Sequence, residues 1–123
     1  MKGKPNGYGE YYWANGSYFK GTFKEGLRDG HGMWKKGSGT SDKYEGEYRA
    51  DKKHGYGIFS WASGNVYKGN YEEDLRTGYG EMYWGDGSFY KGEWVRGIQH
   101  GDGVLFLPGQ GIKKGKFKDN VLV

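Results

Sequence analysis

Tyr67-Lys68-Gly69-Asn70-Tyr71-Glu72-Glu73-Asp74-Leu75-Arg76-Thr77-Gly78-Tyr79-Gly80-Glu81-Met82-Tyr83-Trp84-Gly85-Asp86-Gly87-Ser88 is one full copy of a unit that recurs along the chain. It holds two signatures, an aromatic-x-Gly-x-aromatic stretch and a Gly-x-Gly pair. The first recurs as Phe19-Lys20-Gly21-Thr22-Phe23, Tyr44-Glu45-Gly46-Glu47-Tyr48 and Tyr90-Lys91-Gly92-Glu93-Trp94, with a degraded copy at Lys113-Lys114-Gly115-Lys116-Phe117. The second begins at Gly7, Gly30, Gly55, Gly78 and Gly101. A period near 23 residues is that of a repeat array, in which each unit touches only its neighbours. Such arrays present surfaces and seldom enclose active sites.

Side chains alternate between the two sides of a strand. Tyr67, Gly69 and Tyr71 therefore share one side, and Lys68 and Asn70 the other. Gly57, Phe59 and Trp61 share a side in the same way. Between such runs stand Ala14-Asn15-Gly16-Ser17, Ala62-Ser63-Gly64-Asn65 and Gly85-Asp86-Gly87-Ser88. Asn-Gly and Asp-Gly tolerate positive φ and are strong hairpin signals. Each unit reads as strand, tight turn, strand, and no segment longer than a turn has helical periodicity. The expectation is five hairpins, about ten short strands, in units 6–25, 29–50, 54–73, 77–96 and 100–119, after an N-terminal extension at 1–5.

Glycine on the aromatic side leaves room for a neighbour's ring or for close backbone approach. That gives a structural role to Gly21, Gly46, Gly69 and Gly92, and to the pairs Gly55/Gly57, Gly78/Gly80 and Gly101/Gly103. In the linkers, Gly26 and Gly97 suit a left-handed turn position, and Asp51 and Asp74 hold the same slot.

These residues resemble the MORN (membrane occupation and recognition nexus) repeat, whose hallmark is Tyr-x-Gly-x-aromatic, a short Gly-containing loop, then His/Asn-Gly-x-Gly and an aromatic strand. The match runs from Tyr44 to Gly57, Tyr67 to Gly80 and Tyr90 to Gly103, including His54-Gly55 and His100-Gly101. Asn6-Gly7 and Asp29-Gly30 fill the slot in the outer copies. The resemblance implies an all-β fold, an elongated single-layer antiparallel sheet of about five stacked β-hairpins over residues 6–120. Two stretches depart from it. Lys35-Lys36-Gly37-Ser38-Gly39-Thr40-Ser41-Asp42 widens one turn and puts lysines in place of two aromatics. The last unit loses its Tyr, so its hairpin is expected to fray or to be capped from outside the chain.

Composition narrows the function classes. Among 123 residues there are 26 Gly and no Cys, the aromatic share is 19%, and the net charge is +4. Periodic aromatics argue against disorder. With no thiol there is neither disulfide nor cysteine chemistry. No apolar run is long enough for a membrane-spanning helix, and the basic start Met1-Lys2-Gly3-Lys4 is not a signal peptide. No Gly-x-Gly-x-x-Gly opens a helix, and no Gly-x-x-x-x-Gly is followed by Lys-Ser or Lys-Thr. His54 and His100 stand two repeats apart, roughly 19 Å at ~4.8 Å per strand, too far to share a metal ion. His31 is in a different phase. The reading is no enzyme, no cofactor and no metal.

Two surfaces remain. One is the aromatic face, read as the protein-binding groove, with Trp13, Trp34, Phe59, Trp61, Met82, Trp84, Tyr48, Tyr71 and Trp94 facing a partner and with Trp61 and Trp84 foremost because they flank the turns. The other is the residue inside aromatic-x-Gly. Lys20, Lys68, Lys91 and Lys114 (Glu45 in one copy) stack on one face and could track lipid phosphates. The resemblance implies a non-catalytic scaffold or adaptor in a cytoskeletal, motor or ciliary (flagellar) assembly, in the cytoplasm or at a membrane surface, with homodimers in some members. The alternative is a phosphoinositide or anionic-membrane tether. Nucleic acid is not expected, because carboxylates dilute the basic face.

Overall fold

The computed structural model describes residues 4–37 and 42–123. Met1 to Gly3 and the centre of the widened turn, residues 38–41, lie outside the described residues. The strands are β1 (Gly7–Tyr12), β2 (Tyr18–Lys24), β3 (Leu27–Lys35), β4 (Lys43–Arg49), β5 (Lys52–Ser60), β6 (Val66–Glu72), β7 (Leu75–Tyr83), β8 (Phe89–Val95), β9 (Ile98–Leu107), β10 (Gly111–Lys118) and β11 (Val121–Leu122). They form one antiparallel sheet of eleven strands in chain order, β1 to β11. At ~4.8 Å per strand the sheet is roughly 48 Å long.

Turn chemistry sets the path. Between units the chain reverses in two residues that both have positive φ, for example Glu25 (51°) and Gly26 (81°), Glu73 (52°) and Asp74 (71°), or Arg96 (49°) and Gly97 (86°). These are type I′ turns, whose twist matches that of paired strands. Each turn is tied back to the unit before it. Asp51 N donates to Arg28 O at 2.8 Å, Asp74 N to Lys53 O at 3.0 Å, and Gly97 N to Arg76 O at 2.9 Å. The turns inside units use Gly16, Gly64 and Gly87 at φ 93°, 98° and 97°. Asn15 Oδ1 accepts from Ser17 N and Asp86 Oδ1 from Ser88 N, both at 2.9 Å.

The register brings one glycine from each of β1 to β10 into a single column, Gly9, Gly21, Gly32, Gly46, Gly57, Gly69, Gly80, Gly92, Gly103 and Gly115. Rings lie flat in that column. A methyl group at Gly80 would sit 2.6 Å from Tyr67 Cζ, and one at Gly57 2.5 Å from Tyr44 Cζ. The hydroxyls of Tyr44, Tyr67 and Tyr90 reach across and donate to the carbonyls of Glu47, Asn70 and Glu93 at 2.9, 3.0 and 2.9 Å. Phe19 fills the position in the first copy.

A single layer has no second sheet to cover it, so the rings cover each other. Phe19, Tyr48, Tyr44, Tyr71, Tyr67, Trp94, Tyr90 and Phe117 make an unbroken edge-to-face run, with successive centroids between 4.9 and 5.6 Å apart. Each such pair adds about 0.5–1.5 kcal/mol beyond the area it buries.

The last hairpin departs from the expectation of a frayed end. β10 pairs with β9 from Gly111↔Leu107 to Phe117↔Gly101, and β11 folds back on it at Phe117↔Leu122. Phe117 packs on Tyr90 at 4.9 Å, as Tyr48, Tyr71 and Trp94 each pack on the unit before them, and Leu122 of β11 takes the place of the missing Tyr beside Gly115. Of the widened turn, its described edges show Lys36 N donating to Asp42 O at 2.8 Å, and Gly37 N to Ser17 Oγ at 2.8 Å.

Candidate functional site

Tyr48, Tyr71, Trp94 and Met82, read from the sequence as partner-facing, are buried. The first three are links in the edge-to-face run, and Met82 sits between Tyr67 and Tyr90 in register. Their contribution is to the core. What the aromatic face leaves open is Trp13, exposed, with Trp34, Phe59, Trp61 and Trp84 half-buried against the core.

Trp13, Trp34, Phe59 and Trp61 line a row of hollows, and Trp84 stands outside the three. The first, of about 170 Å³, lies between Tyr11, Trp13, Phe19 and Phe23, with Arg28 and Asp51 at its rim. The second, of about 160 Å³, is walled by Trp34, Tyr44, Tyr48 and Phe59, with Lys53 and Asp74. The third, of about 260 Å³, is walled by Phe59, Trp61 and Tyr71, with Arg76 and Gly97.

A column of cations runs through the hollows, and the sequence reading missed it. Arg28 lies 4.8 Å from the Tyr48 ring centroid and Lys53 5.6 Å from that of Tyr71. Arg76 lies 4.7 Å from that of Trp94. Gln99 takes the fourth place and is buried. The register explains the arrangement, because Phe23, Tyr48, Tyr71 and Trp94 stand opposite Arg28, Lys53, Arg76 and Gln99. Arg28 Nε pairs with Asp51 Oδ1 at 2.6 Å and Lys53 Nζ with Asp74 Oδ1 at 3.3 Å. Asp74, read from the sequence only as a turn residue, is thus also an inter-unit tie.

Burial pushes the phenols of Tyr48 and Tyr67 up to about 12, against the opposing pull of Arg28 beside Tyr48 and of Arg76 beside Tyr67. Burial raises Tyr44 and Tyr71 further still. The groove's buried phenols therefore carry no charge at neutral pH.

The opposite face carries the lysine column, and it differs from an unbroken ladder. Register gives the order Glu10, Lys20, Met33, Glu45, Ile58, Lys68, Glu81, Lys91, Val104, Lys114. Glu81 stands between Lys68 and Lys91. Its carboxyl is held below the ordinary range, first by the Tyr83 hydroxyl at 2.5 Å, with Tyr79, Lys91 and Lys68 adding to the effect. Both lysines lean on rings, Lys68 at 5.7 Å from Tyr83 and Lys91 at 4.8 Å from Phe89. Glu10 is gripped in the same way by Tyr8 and Tyr12 at 3.2 and 2.7 Å.

His31, out of phase with the other histidines, sits between two carboxylates, 3.1 Å from Glu47 and 3.5 Å from Glu45. Among the described residues no group of three or more His, Cys, Asp or Glu could hold a metal ion.

A family model for the MORN repeat matches residues 1–18, 19–41, 44–66, 67–89 and 90–112. Alsin from Rattus norvegicus, Mus musculus and Homo sapiens is 41% identical over 61 residues, which is 47% of this chain and 4% of alsin. The chain thus spans a small part of the curated relatives it matches.

Proposed function

Because the chain belongs to the MORN repeat family, we propose that it is a non-catalytic scaffold whose aromatic groove holds a segment of a partner protein, within a cytoskeletal or axonemal assembly. MORN repeats are non-enzymatic interaction modules for proteins and membranes. The observation that carries the protein reading is the row of ring-walled hollows on one face. Exposed contiguous apolar surface of this kind marks a docking site. The cytoskeletal setting rests on the family resemblance.

Random peptides displayed on phage and selected against the array test the groove. Peptides that bind should lose at least tenfold in affinity on Trp61→Ala, in a variant that still unfolds cooperatively well above the assay temperature, since ring anchors dominate such interfaces. Binding unaffected by Trp61→Ala and Trp84→Ala removes the groove from the reading.

A membrane tether is the second reading, favoured by Lys114 and Lys118, exposed on one face of β10. It requires salt-sensitive co-sedimentation with phosphoinositide vesicles that fails when Lys68, Lys91 and Lys114 are reversed to Glu. Glu81 in mid-column weakens it.

A further inference from the structure

We infer that the third hollow is a carboxylate-selective subsite, in which Arg76 receives an aspartate or glutamate side chain of the segment lying in the groove. The inference rests on the groove reading above and deepens it.

Three equivalent positions make the argument. Arg28 bonds the turn of the following unit twice, through Nη2 to Asp51 O at 2.9 Å and through Nε to Asp51 Oδ1 at 2.6 Å. Lys53 is matched with Asp74, which accepts from its Nζ at 3.3 Å and its backbone N at 2.8 Å. Arg76 repeats the first bond only, through Nη2 to Gly97 O at 2.9 Å. The turn residue that supplies the carboxylate in the two earlier units is glycine here. Among the described residues no acid lies within ion-pair distance of Arg76, and the one acid at the rim of its hollow, Asp74, is engaged by Lys53.

A guanidinium has five donors in a fixed fork that matches a carboxylate. This one is held between the Tyr67 and Trp94 rings at 5.8 and 4.7 Å, so its direction is set before anything binds. The wall around it is Phe59, Trp61, Tyr71 and Leu75, and the second cation of the lining, Lys53, is paired with Asp74. One oriented cation with no internal acid, beside these apolar side chains, suits one acid flanked by apolar side chains. It does not suit a lipid headgroup, whose several anionic oxygens call for clustered cations. The lysine column lies on the opposite face of the sheet.

The slot itself supplies the test. Gly97 has φ 86°, close to the 75° and 71° of Asp51 and Asp74, and nothing but Leu75 Cδ2 at 3.8 Å meets a Cβ there. Gly97→Asp should give Arg76 an internal partner and close the subsite without loss of fold. Gly97→Asn changes the backbone alike and adds no charge. Arg76→Gln installs the residue that position 99 already carries.

In the peptide selection, Trp61-dependent binders should carry an acidic residue. They should lose at least tenfold in affinity on Gly97→Asp and on Arg76→Gln, the scale of a lost charge-assisted pair, and stay within about twofold on Gly97→Asn. Binders that need Trp61 yet ignore Gly97→Asp overturn the subsite and leave the groove standing. Binders that ignore both, or a selection with no Trp61-dependent binder, overturn both. Phosphatidylinositol-phosphate vesicles that bind the wild type and release on Gly97→Asp would place a lipid phosphate at Arg76 and overturn the peptide assignment.

Discussion

Both faces of this sheet carry rings, and they bury them very differently. Tyr67 on one face is 0% exposed, while Tyr56 and Tyr79 on the other are each 54% exposed. The difference lies in what stands beside them. On the first face the register places glycine next to each ring, so the ring lies down on bare backbone and turns its edge to the next. On the second face the neighbours are Lys68, Glu81 and Lys91, and the rings stand away from the sheet, fixed by hydroxyl–carboxylate and cation–ring contacts. Stacked Phe89 and Phe106, 5.2 Å apart, are the nearest that face comes to a core. In a single layer the core is made by side chains that are missing as much as by those present.

The sharpest way to break this contrast is to fill the glycine column. Gly80→Val should cost about 3 kcal/mol or more, because any side chain there meets the buried Tyr67 ring. Gly78→Asn, at φ 65° with nothing within 4 Å of a Cβ, should cost under about 1 kcal/mol. Equal urea midpoints for the two variants would refute the account of the buried face. A smaller effect, about 1 kcal/mol, is expected for Tyr67→Phe, which removes only the bond from the hydroxyl to Asn70 O, the form that Phe19 already takes in the first unit.

The smallest effect belongs to the second face. Glu81→Gln should change stability by under about 0.5 kcal/mol, since the pair is solvent-screened. Its folded carboxyl lies below the ordinary value, so what it contributes is present above about pH 4.5 and fades as the pH falls through the folded value. Thermal midpoints of wild type and Glu81→Gln should therefore converge on acidification. A gap that widens would mean the Tyr79–Glu81–Tyr83 clamp is not the source of the difference.

Much of this was legible in the residues because its causes are local. Asn-Gly and Asp-Gly turns, alternation around Gly69 and the recurring Gly-x-Gly specify hairpins without reference to the rest of the chain. The cation column was legible too, had the alternation been carried two residues beyond the Gly-x-Gly. Arg76, Gly78 and Gly80 have the same parity, and the strand runs on to Leu75. Glu81 between two lysines was not legible, since the repeat period relates equivalent strands and says nothing of which residue on the strand between them stands opposite. Leu122 standing in for the absent Tyr beside Gly115 likewise depends on a strand, β11, that the repeat signatures do not mark.

Two strands make one unit, and the hollows follow that step across the sheet. At ~4.8 Å per strand, equivalent hollows recur roughly every 9.6 Å. An extended segment laid along them advances about three residues per step, and a helix about six. The row is therefore a ruler with fixed graduations. It would tell segments apart by the spacing of their anchor residues before the identity of those residues matters, and adding or deleting one unit would lengthen the scale without changing its divisions.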